Sequence, residues 1–190
     1  MDSLITFIIP TICRPSLPLS IQTLQRQSNT NWKAVVCGDG CDPIVDRPHG
    51  DYNIIEDNRV IYIKAPHFSN QSKTRNYMID ICQTEWIGCL DDDDALMPEY
   101  VQYVEDNKDN NDIIIFKMNN YGDIIPFNHS LILGQVGISF AARADVMKAV
   151  PFPDPPAEDY YWLLRCEQLG YKIHYAEYIG YWVRPDWDNV

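Results

Sequence analysis

Short runs of apolar and β-branched residues alternate along the chain with segments whose apolar positions recur every three or four residues. The runs "LITFIIP", "WKAVVCG", "RVIYIKA", "EWIGCL" and "DIIIFKM" predict strands. Between them, "PSLPLSIQTLQRQ", "QSKTRNYMIDICQ" and "EYVQYVEDN" predict helices. In the first of these, Leu17, Ile21 and Leu24 share a face, Ser16 is the candidate N-cap and Pro18 sits near the start. Further on, "AARADVMKAV" and "EDYYWLLRCEQLG" predict two more helices, the second stopped by Gly170 with Trp162, Leu163, Cys166 and Leu169 as its buried stripe. "YKIHYAEYIGYWVRP" closes with a β-like pattern, and residues 119–133 read as loop or short strands. Strands alternating with helices predict an α/β fold with a mostly parallel central sheet flanked by helices. No repeat or linker interrupts the pattern, so one domain is expected.

Of the 190 residues, 46% are hydrophobic, enough for a sizeable core. The net charge of −12 argues against binding nucleic acid by phosphate neutralisation and against docking on anionic lipid. The longest apolar stretches are too short for a transmembrane segment, and the N-terminus lacks the basic region of a signal peptide. Six cysteines occur, at 13, 37, 41, 82, 89 and 166, without a CxxC pair. Cys37, Cys89 and Cys166 lie in apolar runs, where cysteine acts as a small hydrophobe. Zinc at Cys37 and Cys41 lacks a second ligand pair. A reduced, cytoplasmic protein is the expectation.

In a parallel α/β sheet, ligands bind beyond the carboxyl ends of strands. Thr11 and Arg14 follow the first strand, Asp39 and Asp42 the second, and Asp91, Asp92, Asp93 and Asp94 the fourth. If the chain runs extended through the four aspartates, Asp91 and Asp93 point to one side and Asp92 and Asp94 to the other. One pair would then face a ligand while its neighbours cap the following helix. A solvated acidic turn is the plain reading. A site for Mg²⁺ or Mn²⁺, shared with substrate phosphates, is the functional one. Lys73 and Arg75 form a candidate cation pair for a diphosphate, against a solvated helix start. Glu158 and Asp159 open a helix behind two prolines, as caps or as a general base.

The segments "FIIPTICRPSLPLSIQTLQRQ", "NWKAVVCGDGCD", "KTRN", "WIGCLDDDDALMP" and "FPDPPAEDYYWLLRCEQLGYKI" occur in the order seen in family 2-like glycosyltransferases of the GT-A fold. The chain resembles that family from about residue 5 to about residue 184. The resemblance implies a nucleotide-diphosphate-sugar donor, with UDP the commonest nucleotide in similar enzymes, and a Mn²⁺ or Mg²⁺ cofactor bridging its phosphates. It implies a glycan or other hydroxyl acceptor and transfer with inversion. By position, Thr11 and Arg14 would line the nucleotide pocket, Asp39 would contact base or ribose, and Arg75 would lie near the nucleotide. Asp91 and Asp93 match the DxD aspartates, Asp93 as metal ligand and Asp91 close to ribose and metal, with Asp92 counted among the donor-binding residues. Asp159 matches the catalytic base. A nucleotide-sugar part over about 1–98 and an acceptor and catalytic part over about 99–190 follow. Relatives often carry Arg-x-His near the C-terminus; here Pro185 and Asp186 follow Arg184, which makes Asp186 a candidate ligand. The alternatives are a Mg²⁺-dependent nucleotidyl or phosphoryl transferase, a nucleotide-sugar-binding module without turnover, and a calcium-stabilised interaction protein. The sequence shows neither GxxxxGK[ST] for the first nor DxDxDG for the last.

Overall fold

Strand β1, Ile5–Thr11, has all seven residues buried. It reads as a mostly apolar run because it lies inside the sheet, covered on both faces. It pairs in parallel with β2 (Trp32–Asp39) on one side and with β4 (Trp86–Cys89) on the other, and β3 (Val60–Ala65) extends the parallel set beyond β2. The computed structural model describes residues 3–44 and 56–184.

Helix α1 (Leu17–Gln25) joins β1 to β2 and buries Leu17, Ile21 and Leu24 as the spacing requires. Ser16 occupies the N-cap position, but its side chain makes no capping hydrogen bond. Helix α2 (Gln71–Ile79) precedes β4, and Asn70 caps it by accepting from the Lys73 N–H. The later elements are β5 (Ala95–Leu96), α3 (Tyr100–Asn107), β6 (Ile113–Asn120), β7 (Asp123–Ile125), β8 (Phe140–Arg143), α4 (Ala144–Ala149), α5 (Glu158–Gln168) and β9 (Ile173–Val183).

Among the described residues one sheet of nine strands forms, in the order β3-β2-β1-β4-β8-β6-β9-β5, with β7 on β6. The part holding β1 to β4 is parallel, as expected; β8 runs antiparallel to both β4 and β6, so the whole sheet is mixed. Two reversals restore direction, so β6, and β9 parallel to it, run the same way as β4. The carboxyl ends of β1, β2, β4, β6 and β9 therefore share one edge, where the site is built.

The segment "AARADVMKAV" divides differently from its helical pattern. Ala141 and Ala142 are buried in β8 between β4 and β6, and the helix starts only at Ala144. Alanine's helix propensity yields to strand pairing with β4 and β6 on either side. In α5, Trp162, Leu163 and Cys166 are buried as expected, while Leu169 stays 49% exposed at the helix end. No helix among the described residues is long and apolar enough to cross a membrane.

Candidate active site

The four aspartates after β4 do not run extended. They turn, with the Asp94 N–H donating to the Asp91 carbonyl at 3.2 Å. The alternation survives for another reason: Asp92 and Asp94 are drawn inward by partners, at 4% and 6% exposure. Asp92 accepts from the Thr11 hydroxyl at 2.5 Å and from Arg14 at 3.3 Å. Asp94 accepts from the Tyr181 hydroxyl at 2.9 Å and from the Arg184 N–H at 3.2 Å, and that tyrosine oxygen accepts from the Asp91 N–H. The Arg184 guanidinium donates to the carbonyls of Asp93 and Asp94 and to Ser20. None of these carboxylates caps α3, which begins after Glu99. Asp91 and Asp93 keep side chains 25% and 42% exposed.

Four acids in one turn strain its electrostatics. Burial raises Asp92 to about 6 against the pull of Thr11 and Arg14, and burial with the Asp91 charge raises Asp94 to about 7. Asp93 is also raised, by burial first, although Arg14 pairs with it. A divalent cation would relieve this crowding.

Arg75 lies fully inside α2's packed face at 2% exposure. Its guanidinium donates to Asp91 at 2.7 Å and to Glu158 at 2.9 Å, while its Nε has no hydrogen-bond partner among the described residues. Burial alone would lower its pKa, but Asp91, Cys89 and Glu158 outweigh this and hold it above the usual arginine value. Lys73, two residues earlier on the helix, is exposed and lines neither cleft at this edge, so the expected cation pair is split between helix faces.

Two clefts open here. The larger, about 540 Å³, is lined by Thr11, Arg14, Asp39, Asn70, Gln71 and the aspartates 91–93, among others. Asp39 sits at its wall and accepts from the backbone N–H of Phe68 at 2.6 Å. Asp42 lies outside it and accepts from the Ile44 N–H. A disulfide joins Cys13, beyond β1, to Cys41, beyond β2. This corrects the expectation of a fully reduced chain: neighbouring parallel strands bring together cysteines that 28 residues separate. It also removes Cys41 from any zinc site, and Cys37 is buried in β2.

The second cleft, about 330 Å³, holds Asp159, Glu158, Arg75, Asp94 and Arg184 and shares Gln71, Asp91 and Asp93 with the first. Asp159 stands in the first turn of α5, behind Ala157 at φ +60°, and accepts the Tyr160 N–H at 2.7 Å. Burial raises its pKa, helped by the Glu158 charge and opposed by that hydrogen bond and by Arg75. Gly137 keeps the approach open, since a Cβ there would lie 2.7 Å from the Met118 methyl and 3.6 Å from the Asp159 carboxylate.

Thr11, Arg14, Asp39, Asp91, Asp92 and Asp93 thus meet in the first cleft, and Arg75, Asp91, Asp93 and Asp159 in the second. Asp186 lies outside the described residues. Gln71, Glu158 as partner of Arg75, and Tyr181 were not singled out by sequence for these roles, because each depends on a contact across the sheet edge. Among the described residues no group of three or more His, Cys, Asp or Glu gathers as a metal cage. Asp91 and Asp93 still offer the one or two hard oxygen donors that Mg²⁺ or Mn²⁺ commonly takes from protein, with phosphates and water supplying the rest.

Residues 6–164 match the family described as Glycosyl transferase family 2. Over 98 residues the chain is 30% identical to WcaA of Escherichia coli (strain K12), named for a glycosyl transfer in colanic acid biosynthesis; this covers 51% of the chain and 35% of that relative. The fold is similar to that of S. aureus TarS, solved with UDP-GlcNAc, at TM-score 0.73 and 17% identity, covering 96% of this chain and 59% of that one. It is also similar to the mannosyltransferase PcManGT of Pyrobaculum calidifontis, solved with GDP-Man and Mn²⁺, at TM-score 0.68 and 12% identity, over 98% of this chain and 59% of that one. The chain spans about a third of the WcaA length and about three fifths of these two solved chains. With the family match covering most of the chain, the chain belongs to glycosyl transferase family 2.

Proposed function

We propose that this chain transfers a sugar from a nucleotide-diphosphate donor to an acceptor hydroxyl with inversion. The observation that carries the reading is the shared wall: Gln71, Asp91 and Asp93 border both a nucleotide-sized cleft and the smaller cleft that holds Asp159. A donor bridging that wall would leave its nucleotide among Thr11, Arg14 and Asp39 and present its anomeric carbon on the Asp159 side. Residues 1–98 then serve mainly the donor, and residues 99–190 mainly the acceptor and the chemistry. UDP is the preferred nucleotide of this reading, in keeping with the UDP-GlcNAc held by TarS.

Asp159, rigidly placed on α5, takes the proton of the acceptor hydroxyl as that oxygen attacks. One carboxylate on the face opposite the leaving diphosphate suffices, and a single displacement inverts the anomeric centre. Arg75 holds Asp91, in the shared wall, and Glu158, in the second cleft, and Asp92 fixes Thr11 and Arg14. Mn²⁺ or Mg²⁺ held by Asp93 and Asp91 would neutralise charge on the departing diphosphate.

The test is thermal stability with UDP, GDP, dTDP or CMP, each with and without Mn²⁺. Metal-dependent stabilisation by one nucleoside diphosphate, followed by sugar transfer from its donor, is expected. Stabilisation by metal alone, or by none of the nucleotides, overturns the proposal.

A further inference from the structure

Tyr121 stands where a bulky side chain is least at ease. Tyr121 and Gly122 form the two-residue turn between β6 and β7, with Asn120 paired to Asp123 and φ of +53° and +101°. A hairpin turn with both φ values positive favours Asn-Gly, and an aromatic residue in the left-handed region is strained. The ring is 66% exposed. Among the described residues it stacks on no other ring and its hydroxyl makes no hydrogen bond, so no specific partner in the fold offsets the strain. Strain kept without a specific partner in the fold points to a ligand.

The ring's surroundings indicate which ligand. Tyr121 lines the second cleft together with Met118, Ile138 and Val183, the cleft that also holds Asp159. The same cleft carries five carboxylates, of Asp91, Asp93, Asp94, Glu158 and Asp159, against the two guanidiniums of Arg75 and Arg184. A divalent cation and the diphosphate it holds would add charges that offset one another, leaving the excess negative. An anionic acceptor would meet like charge at close range. A neutral sugar ring offers a C–H face to an aromatic surface and hydroxyls to the carboxylates.

Resting on the function proposed above, we infer that the acceptor is an uncharged saccharide whose ring face lies on Tyr121, and that the surrounding carboxylates exclude uronates and phosphorylated sugars. The experiment uses an array of neutral and anionic oligosaccharides, probed with the protein loaded with Mn²⁺ and the nucleoside diphosphate that stabilises it. Neutral glycans are expected to bind, Tyr121→Asn to weaken them about tenfold, and Tyr121→Phe to retain them. Because asparagine suits this turn, Tyr121→Asn should melt no lower than wild type, which separates lost recognition from lost folding. Preference for anionic glycans, indifference to Tyr121→Asn, or no neutral glycan bound while the nucleotide still stabilises the protein each overturns the inference alone. If no nucleoside diphosphate stabilises the protein, the proposed function falls and the inference with it.

Discussion

Arg75 and Glu158, 83 residues apart in sequence, are joined by a 2.9 Å ion pair in the lining of the second cleft. The same guanidinium holds Asp91. One buried cation therefore ties the aspartate turn to the helix of the candidate base. Arg75→Ala leaves two poorly solvated carboxylates without their partner, and the expected loss is about 3–5 kcal/mol by chemical denaturation. Arg75→Lys cannot fork to both acids and should recover only part of that loss. Wild-type stability in both variants would show the pair to be incidental.

Asp93 and Asp92 should separate binding from folding. Asp93 is half exposed where the clefts meet, so Asp93→Ala should abolish Mn²⁺-dependent nucleotide binding with little change in melting temperature. Asp92→Ala strips acceptors from Thr11 and Arg14 and should cost about 1–3 kcal/mol of stability. Equal effects of the two changes on both readouts would refute this division.

Asp159→Asn keeps the carbonyl that accepts from Tyr160 and removes the base. Transfer should fall by about 10²-fold or more, with donor affinity unchanged. The raised pKa also fixes a sign. In acid, Asp159 is protonated in both folded and unfolded chains and costs nothing. As pH rises through the raised folded value, the unfolded chain ionises more readily and the folded state loses stability. The variant should thus melt at or above wild type near neutrality, with the difference vanishing in acid, and wild-type activity should decline in acid at a higher pH than an unperturbed aspartate would give. A variant that melts lower at neutral pH than in acid, relative to wild type, contradicts the assignment.

Much of this architecture was legible from local pattern. The strands from β1 to β4 and helix α1 are written in runs and spacings that their own neighbours satisfy. What escaped depends on distant partners. The pair Ala95–Leu96 is a strand only because β9 lies beside it, with Ala95 opposite Trp182. Ala141 and Ala142 are strand residues because β4 and β6, distant in sequence, pair with them on both sides. In the site, residue types marked the carboxylates, but their division of labour follows from Tyr181 and Arg184, which arrive from the far end of the chain.

The Cys13–Cys41 bond yields a prediction of its own. Closing a loop across 28 residues removes chain entropy from the unfolded state worth about 3–4 kcal/mol. The oxidised protein should melt above the same protein in a dithiol, and Cys13→Ser/Cys41→Ser should match the reduced form. Thiol titration of the unfolded, unreduced chain should count four, from Cys37, Cys82, Cys89 and Cys166. A count of six refutes the pairing.

The shared direction of β1, β2, β4, β6 and β9 also gives the molecule a front and a back. Ile5 opens β1 at the edge away from the clefts, and Thr11 ends it in the lining of the first, whereas Arg184 leaves β9 at the front, against Asp93 and Asp94. A surface linker attached just ahead of Ile5 would hold the protein with both mouths facing solution. One attached just after Arg184 would set its cargo at the rim. For immobilisation or fusion, the two ends of the described chain are therefore not equivalent handles.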